Sequence, residues 1–120
     1  MSVHDADLTL RQIVEICDKA IEFRNSITWE EFRGDWHKQM LGERLAEVLG
    51  EAVKRLPDDL RNRHPRVPWK KIAGTRDYIA HGYDSVDYDV IWGVLAIEAG
   101  NLKETVLAIL AKEFPEPPRQ

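Results

Sequence analysis

The sequence predicts an all-α protein, an up-and-down bundle of four main helices with additional short ones. Three observations lead there. Apolar residues recur at three- and four-residue steps in four segments, no segment alternates apolar with polar residues, and the breakers Gly34, Pro57, Pro65, Pro68 and Gly82 fall between those segments. At 120 residues, 43% hydrophobic and 32% charged, the chain has the size and composition of one domain around one core. Residues 1–114 are read as that domain, and 115–120 as a Pro-rich tail.

From Asp7 to about Arg24, the positions Leu10, Ile13, Val14, Cys17, Ala20 and Ile21 make one apolar stripe, with Asp7 suited to cap the first turn. Thr28 and Glu31 have capping-box spacing and open a short helix that ends at Gly34, after which Asp35 can cap the next. Met40, Leu41, Leu45, Val48, Leu49, Ala52, Val53 and Leu56 then form a continuous stripe, stopped by Pro57. Residues 58–63 predict one more helical turn, and Pro65 and Pro68 an extended connection. A helix starting at Pro68 or Trp69 runs to Ala80 or His81, because Gly82 suits the left-handed cap that ends helices. Asp87 restarts a helix carrying Val90, Ile91, Val94, Leu95, Ala99, Leu102, Val106, Leu107 and Leu110. Glu98 interrupts that stripe, and Pro115, Pro117 and Pro118 close the chain.

Composition narrows the function. A lone Cys17 among isoleucines and valines reads as a buried thiol and suits a reducing cytoplasm, and no apolar run approaches the roughly 18–20 residues that span a bilayer. A net charge of −4 disfavours a sequence-blind nucleic-acid binder. It hides a gradient, since Lys54, Arg55, Arg61, Arg63, Arg66, Lys70, Lys71 and Arg76 face only Asp58 and Asp59 before Asp77. Two readings follow: a local basic face near His81, or a solvated surface whose charges pair with the acidic first third. His4, His37 and His64 lack metal-ligand spacing, and Asp84, Asp87 and Asp89 read as caps and surface charges, so no metal site and no cofactor are assigned.

The chemistry concentrates in Arg76-Asp77-Tyr78-Ile79-Ala80-His81-Gly82-Tyr83. Arg76 offers a planar fork of donors to a phosphate, and His81 carries the side chain whose ordinary pKa, about 6.5, suits proton transfer near neutrality. Five residues apart on an ideal helix, the two side chains diverge by about 140°, so a joint site needs a helix end or a second chain. Asp77 either orients Arg76 or pairs with Lys70 or Lys71, and Tyr78 either lines the same cleft or packs on the bundle. Trp29, Trp36, Trp69 and Trp92 read as core and interface residues, with Trp69 and Trp92 as wedges between helices. Glu51 and Glu98, among apolar neighbours, read as buried acids with partners.

Arg76, His81 and Tyr83 spell Arg-x4-His-x-Tyr, and ordered blocks flank them: Gly50-Glu51-Ala52 to Leu56-Pro57, His64-Pro65 through Pro68-Trp69, Ile72 and Gly74, then Asp87 to Trp92. In these blocks, over about residues 7 to 112, the chain resembles the HepT toxins of the HEPN superfamily. The resemblance implies a homodimeric HEPN bundle acting as a metal-independent ribonuclease toxin, with Arg76 and His81 catalytic and Asp77 auxiliary in a cleft between two copies. It also implies an antitoxin partner, an MntA-like minimal nucleotidyltransferase that transfers AMP to Tyr83. The alternative is a non-catalytic HEPN dimer that binds a nucleotidyltransferase or a nucleotide, with Arg76 as a phosphate clamp.

Overall fold

A computed structural model describes residues 3–82 and 85–116, with the side chains of Val3 and His4 outside the description. It is all-α, with no strand among the described residues. The helices are α1 (Val3–Ser26), α2 (Trp29–Gly34), α3 (Trp36–Lys54), α4 (Asp58–Asn62), α5 (Trp69–Gly82), α6 (Tyr88–Gly93) and α7 (Ala99–Glu113). Val94–Glu98 joins α6 to α7 as a π turn, so the last helical segment is nearly continuous. The four main segments are thus α1, α3, α5 and α6–α7: α3 packs on both α5 and α1, and α1 packs on α7.

Local signals set most boundaries. The Thr28 hydroxyl accepts from Glu31 N–H at 3.1 Å, and the Glu31 carboxylate accepts from Thr28 N–H at 3.2 Å, completing the capping box. Asp35 caps α3 by accepting from His37 N–H at 2.9 Å. The start of α1 differs from the expectation. The helix begins at Val3, and Asp7, one turn inside it, pairs with Arg11 at 2.8 Å instead of capping. Arg11 also donates to the Phe114 carbonyl at 3.3 Å, tying α1 to the end of α7.

The core runs through Leu10, Ile13, Cys17, Phe32, Leu49, Val53, Ile72, Ile91, Leu95, Leu102 and Val106, all essentially inaccessible. Met40 and Leu41, expected in the α3 stripe, are 60% and 51% exposed, and Val90 and Leu107 also face outward. The reason is Gly42. A Cβ there would stand 2.7 Å from the Phe32 ring and 3.3 Å from Leu95 Cδ1, so the first half of α3 turns the small Gly42 and Ala46 inward and Met40 and Leu41 outward, while Leu49 and Val53 further along stay in the core. Trp29, Phe32, Tyr88 and Trp92 form an aromatic cluster at this end, with Phe32 and Trp92 centroids 5.1 Å apart. Trp36 lies outside it, exposed and stacked on His37 at 3.8 Å.

The π turn explains the interrupted stripe. Ala99 N–H reaches back to the Val94 carbonyl, one residue further than in an α-helix, which resets the face between Leu95 and Ala99. Glu98 is carried to the edge of the core, where its largely covered carboxylate meets Lys71 at 3.1 Å. Glu51, by contrast, is exposed on the outer face of α3. No helix among the described residues is long and apolar enough to cross a membrane.

Candidate active site

The elements around α5 fix its position from both sides. At its start, the Trp69 indole N–H donates to the His64 carbonyl at 2.8 Å, and the ring is buried as a wedge under the 64–68 connection. Along its inner face lies Gly50 of α3. A Cβ at Gly50 would stand 2.7 Å from the Ile72 carbonyl oxygen and 3.1 Å from Arg76 N, so the two backbones meet where a side chain would keep them apart. Only glycine allows that approach. Arg76 therefore leaves the helix beside α3, with its side chain about half exposed.

Its partners are Asp77 and, through Asp77, Lys54. Arg76 Nη1 donates to Asp77 Oδ1 at 3.1 Å, while Lys54 Nζ lies 3.6 Å from Asp77 Oδ2. The hydrogen bond from Arg76, then the charge of Lys54, hold Asp77 below the usual carboxylate range. Two cations thus share one carboxylate. A guanidinium has five N–H donors, so most of the Arg76 fork remains available to a phosphate. Of the two readings of Asp77, orientation of Arg76 has its geometry here. The surface ion pair is present as well, with Lys54 in the place expected of Lys70 or Lys71, since Lys71 is held by Glu98.

His81 is exposed in the last turn of α5 and makes no hydrogen bond among the described residues. The helix runs through Gly82 rather than stopping before it, and Gly82 has no left-handed backbone. A Cβ there would meet Val86 Cγ2 at 2.6 Å, so a larger residue requires the Val86 side chain to shift. With no break between Arg76 and His81, the divergence of about 140° stands, and one copy of the chain does not aim both side chains at one point.

Beyond positions 83 and 84, Ser85 and Asp87 are hydrogen-bonded to α5. Ser85 Oγ donates to the Gly82 carbonyl at 2.6 Å, and the Tyr78 hydroxyl accepts from Asp87 N–H at 2.6 Å. Tyr78 is half-buried, so packing is its role, with the added task of pinning Asp87, which caps α6. Tyr83 and Asp84 lie outside the described residues.

Several cations of residues 54–76 find their acids nearby or towards the chain's end. Arg61 pairs with Asp58, Arg63 with Asp59 at 3.0 Å and Glu113 at 2.6 Å, and Arg55 donates to Gln12 at 3.3 Å. Arg66 and Lys70 are exposed and have no acidic partner among the described residues. Sequence reasoning missed Lys54 as a partner of Asp77. The only trace was the Gly50/Lys54 spacing, which places both on one face of α3.

Residues 13–109 match the protein family described as HepT-like, Ribonuclease HepT-like. The chain is 40% identical over 104 residues to "Putative RNase TTE0752" of Caldanaerobacter subterraneus subsp. tengcongensis, an alignment covering 87% of this chain and 93% of that one. It is 39% identical over 101 residues to "Putative RNase MJ0127" of Methanocaldococcus jannaschii, covering 84% of each. Against "Probable ribonuclease HepT" of Thermococcus cleftensis it is 35% identical over 94 residues, covering 78% of this chain and 86% of that one. No solved structure matches. Coverage this complete on both sides makes the likeness one of whole domains, and the chain belongs to the HepT-like ribonuclease family of the HEPN superfamily.

Proposed function

We propose that the protein is a ribonuclease, the toxin of a HepT/MntA-like pair in a prokaryotic cytoplasm, cutting RNA without a metal ion in a cleft between two copies of the chain. The observation that carries this is the α5 end: Arg76, oriented by Asp77 and neighboured by Lys54, shares one helix with an exposed His81. The relatives named as RNases support the substrate class.

The chemistry asks for a base, an acid and positive charge. One His81 takes the proton of a ribose 2′-hydroxyl, and the 2′-oxygen attacks the adjacent phosphorus. Arg76 holds the non-bridging oxygens as the phosphorus becomes pentacovalent. The bond to the 5′-oxygen breaks, and a second imidazole, His81 of the other copy, protonates that oxygen. The products are a 2′,3′-cyclic phosphate and a free 5′-hydroxyl. The divergence of Arg76 and His81 on one helix supports the dimeric arrangement, because a second copy supplies the residue that one chain aims elsewhere.

Control is covalent in this reading. An MntA-like nucleotidyltransferase antitoxin transfers AMP from ATP to the Tyr83 hydroxyl, the phenolic proton leaving as the α–β phosphoanhydride bond breaks and pyrophosphate departs, and the added phosphate neutralises Arg76 and crowds His81. The domain is residues 1–114, with the tail outside it.

The test is RNA cleavage by the purified chain in EDTA, by His81→Ala, and after co-expression with the antitoxin, with intact mass measured alongside. Cleavage that resists EDTA, vanishes in His81→Ala and falls as Tyr83 gains AMP is the expected result. RNA left intact by unmodified protein overturns it and leaves the non-catalytic HEPN dimer, a reading that the net charge of −4 favours.

A further inference from the structure

The connection between α4 and α5 bends around a cavity of about 580 Å³, within the range of roughly 300–1,000 Å³ that accommodates small organic ligands. Pro65, Val67, Pro68 and Trp69 give it an apolar wall, and Arg61, Lys70 and Lys71 stand at its polar side with Asn62 and one acid, Asp58. The wall is rigid: two prolines fix the backbone, and the Trp69 indole is tied to the His64 carbonyl. The accessible part of the wall is Pro65 and Pro68, backed by the buried Val67 and Trp69 ring, and an apolar wall of this kind covers the face of a nucleobase without reading its identity.

The cations at this cavity differ in availability. Arg61 is paired with Asp58, and Lys71 with Glu98 at 3.1 Å. Lys70 is exposed and without an acidic partner among the described residues, so its ammonium is open to a phosphate. Its register matters as well. Eleven residues separate Lys70 from His81, which on an α-helix places them within about 20° of one face and about 16 Å apart along the axis. That span corresponds to a few nucleotides.

We propose that this cavity is a subsite for one nucleotide of the RNA substrate, its base against the Pro65–Trp69 wall and its phosphate on Lys70, with the strand running along the outer face of α5 to His81. The inference rests on the ribonuclease reading above and locates its substrate. It also reconciles a net charge of −4 with a polyanionic substrate, because the contact uses one unpaired lysine and an apolar wall rather than a broad basic surface.

The experiment is fluorescence anisotropy of a short labelled single-stranded RNA with the full-length His81→Ala protein, comparing added Lys70→Glu, Lys70→Ala and Lys70→Arg. Lys19→Glu on exposed α1 controls for the same change in net charge. Lys70→Glu is expected to weaken binding about tenfold, and Lys70→Ala to reduce the slope of log K against log salt by about 0.7. Lys70→Arg and Lys19→Glu should stay within about twofold of the parent. With His81 intact, Lys70→Glu should raise KM and leave kcat unchanged. Unaltered RNA affinity in Lys70→Glu overturns the subsite while leaving the ribonuclease reading in place. No RNA binding by the parent overturns both. If AMP binds in a Lys70-dependent way while RNA does not, the cavity belongs to free nucleotide and the RNA assignment is overturned.

Discussion

Gly50 and Arg76 meet backbone to backbone: a Cβ on Gly50 would stand 3.1 Å from the Arg76 nitrogen and 3.3 Å from its Cβ. Replacing Gly50 by Ala sets two effects against each other. Helix propensity favours Ala by up to about 1 kcal/mol. The new methyl, however, lies 2.7 Å from the Ile72 carbonyl oxygen, a backbone atom that cannot swing aside, and overpacking of this kind costs about 1–3 kcal/mol. Net destabilisation of about 1 kcal/mol is expected in urea denaturation, with a larger relative loss of RNA cleavage, since the shift falls on the helix that carries Arg76. A variant as stable and active as the parent would show that α5 does not need this approach.

Gly74 is the opposite case. It sits inside α5, exposed, with nothing within 4 Å of a built Cβ. Gly74→Ala should therefore stabilise the fold by about 0.5–1 kcal/mol, read as a higher urea midpoint at unchanged m-value. If cleavage falls while stability rises, the bare outer face serves the site and not the fold.

What could be read in advance divides along the same line. Thr28, Glu31 and Asp35 act within a few residues of themselves, and the boundaries they predict are the observed ones, whereas α3 ends at Lys54, short of Leu56, and Pro57 stands at the start of α4. Met40 and Leu41 were misplaced because their orientation depends on Phe32 and Leu95 filling the space at Gly42, contacts made by other segments. The π turn was visible only as the interruption at Glu98, whose partner Lys71 lies 27 residues away in sequence. At the site, the motif named Arg76, Asp77, His81 and Tyr83, but Lys54 enters through the α3–α5 packing that Gly50 permits, which no spacing within α5 encodes. Gly82 suits a left-handed cap by residue type alone, whereas α5 includes it with an ordinary backbone.

Cys17 offers a probe of the whole bundle. It is fully buried, and burial, then neighbouring Asp18, push its thiol up to about 12. The thiolate is the reactive form, so at pH 8 a thiol reagent should label the native chain only through unfolding. The labelling rate should rise with urea in step with the loss of helix. Fast labelling without denaturant would mean that α1 opens locally.

Glu113 gives stability a pH dependence. Burial raises its carboxyl, but hydrogen bonds from Arg63 at 2.6 Å and His64 at 2.8 Å outweigh that and hold it below the ordinary glutamate range. The native state then binds fewer protons here than the unfolded chain. The stabilisation is present above the unfolded value of about 4.3 and is lost as pH falls through the lower native value. Glu113→Gln should cost about 1 kcal/mol at pH 7, discounted for partial exposure. The gap from the parent should narrow steadily below about pH 4. A constant gap down to pH 2 would mean that the carboxylate charge contributes nothing.

Asp77 separates orientation from charge. If it serves only as a countercharge, Asp77→Asn makes the site more positive, and RNA affinity should rise with turnover intact. If it aims the guanidinium, Asn keeps an acceptor but loses the charge-assisted bond at 3.1 Å, and Lys54 loses its hold as well. The orienting role predicts a fall in kcat of about tenfold with KM unchanged or lower. The pH profile sharpens this. Arg76, then Lys54, keep Asp77 below the usual carboxylate range, so it is ionised throughout pH 6–8 in the parent, and the ratio of parent to variant kcat should be flat there. Arg76→Lys keeps the charge and loses the fork, and should fall at least as far as Asp77→Asn. Full activity in Arg76→Lys would mean that a point charge suffices and that the Arg76–Asp77 geometry is incidental to catalysis.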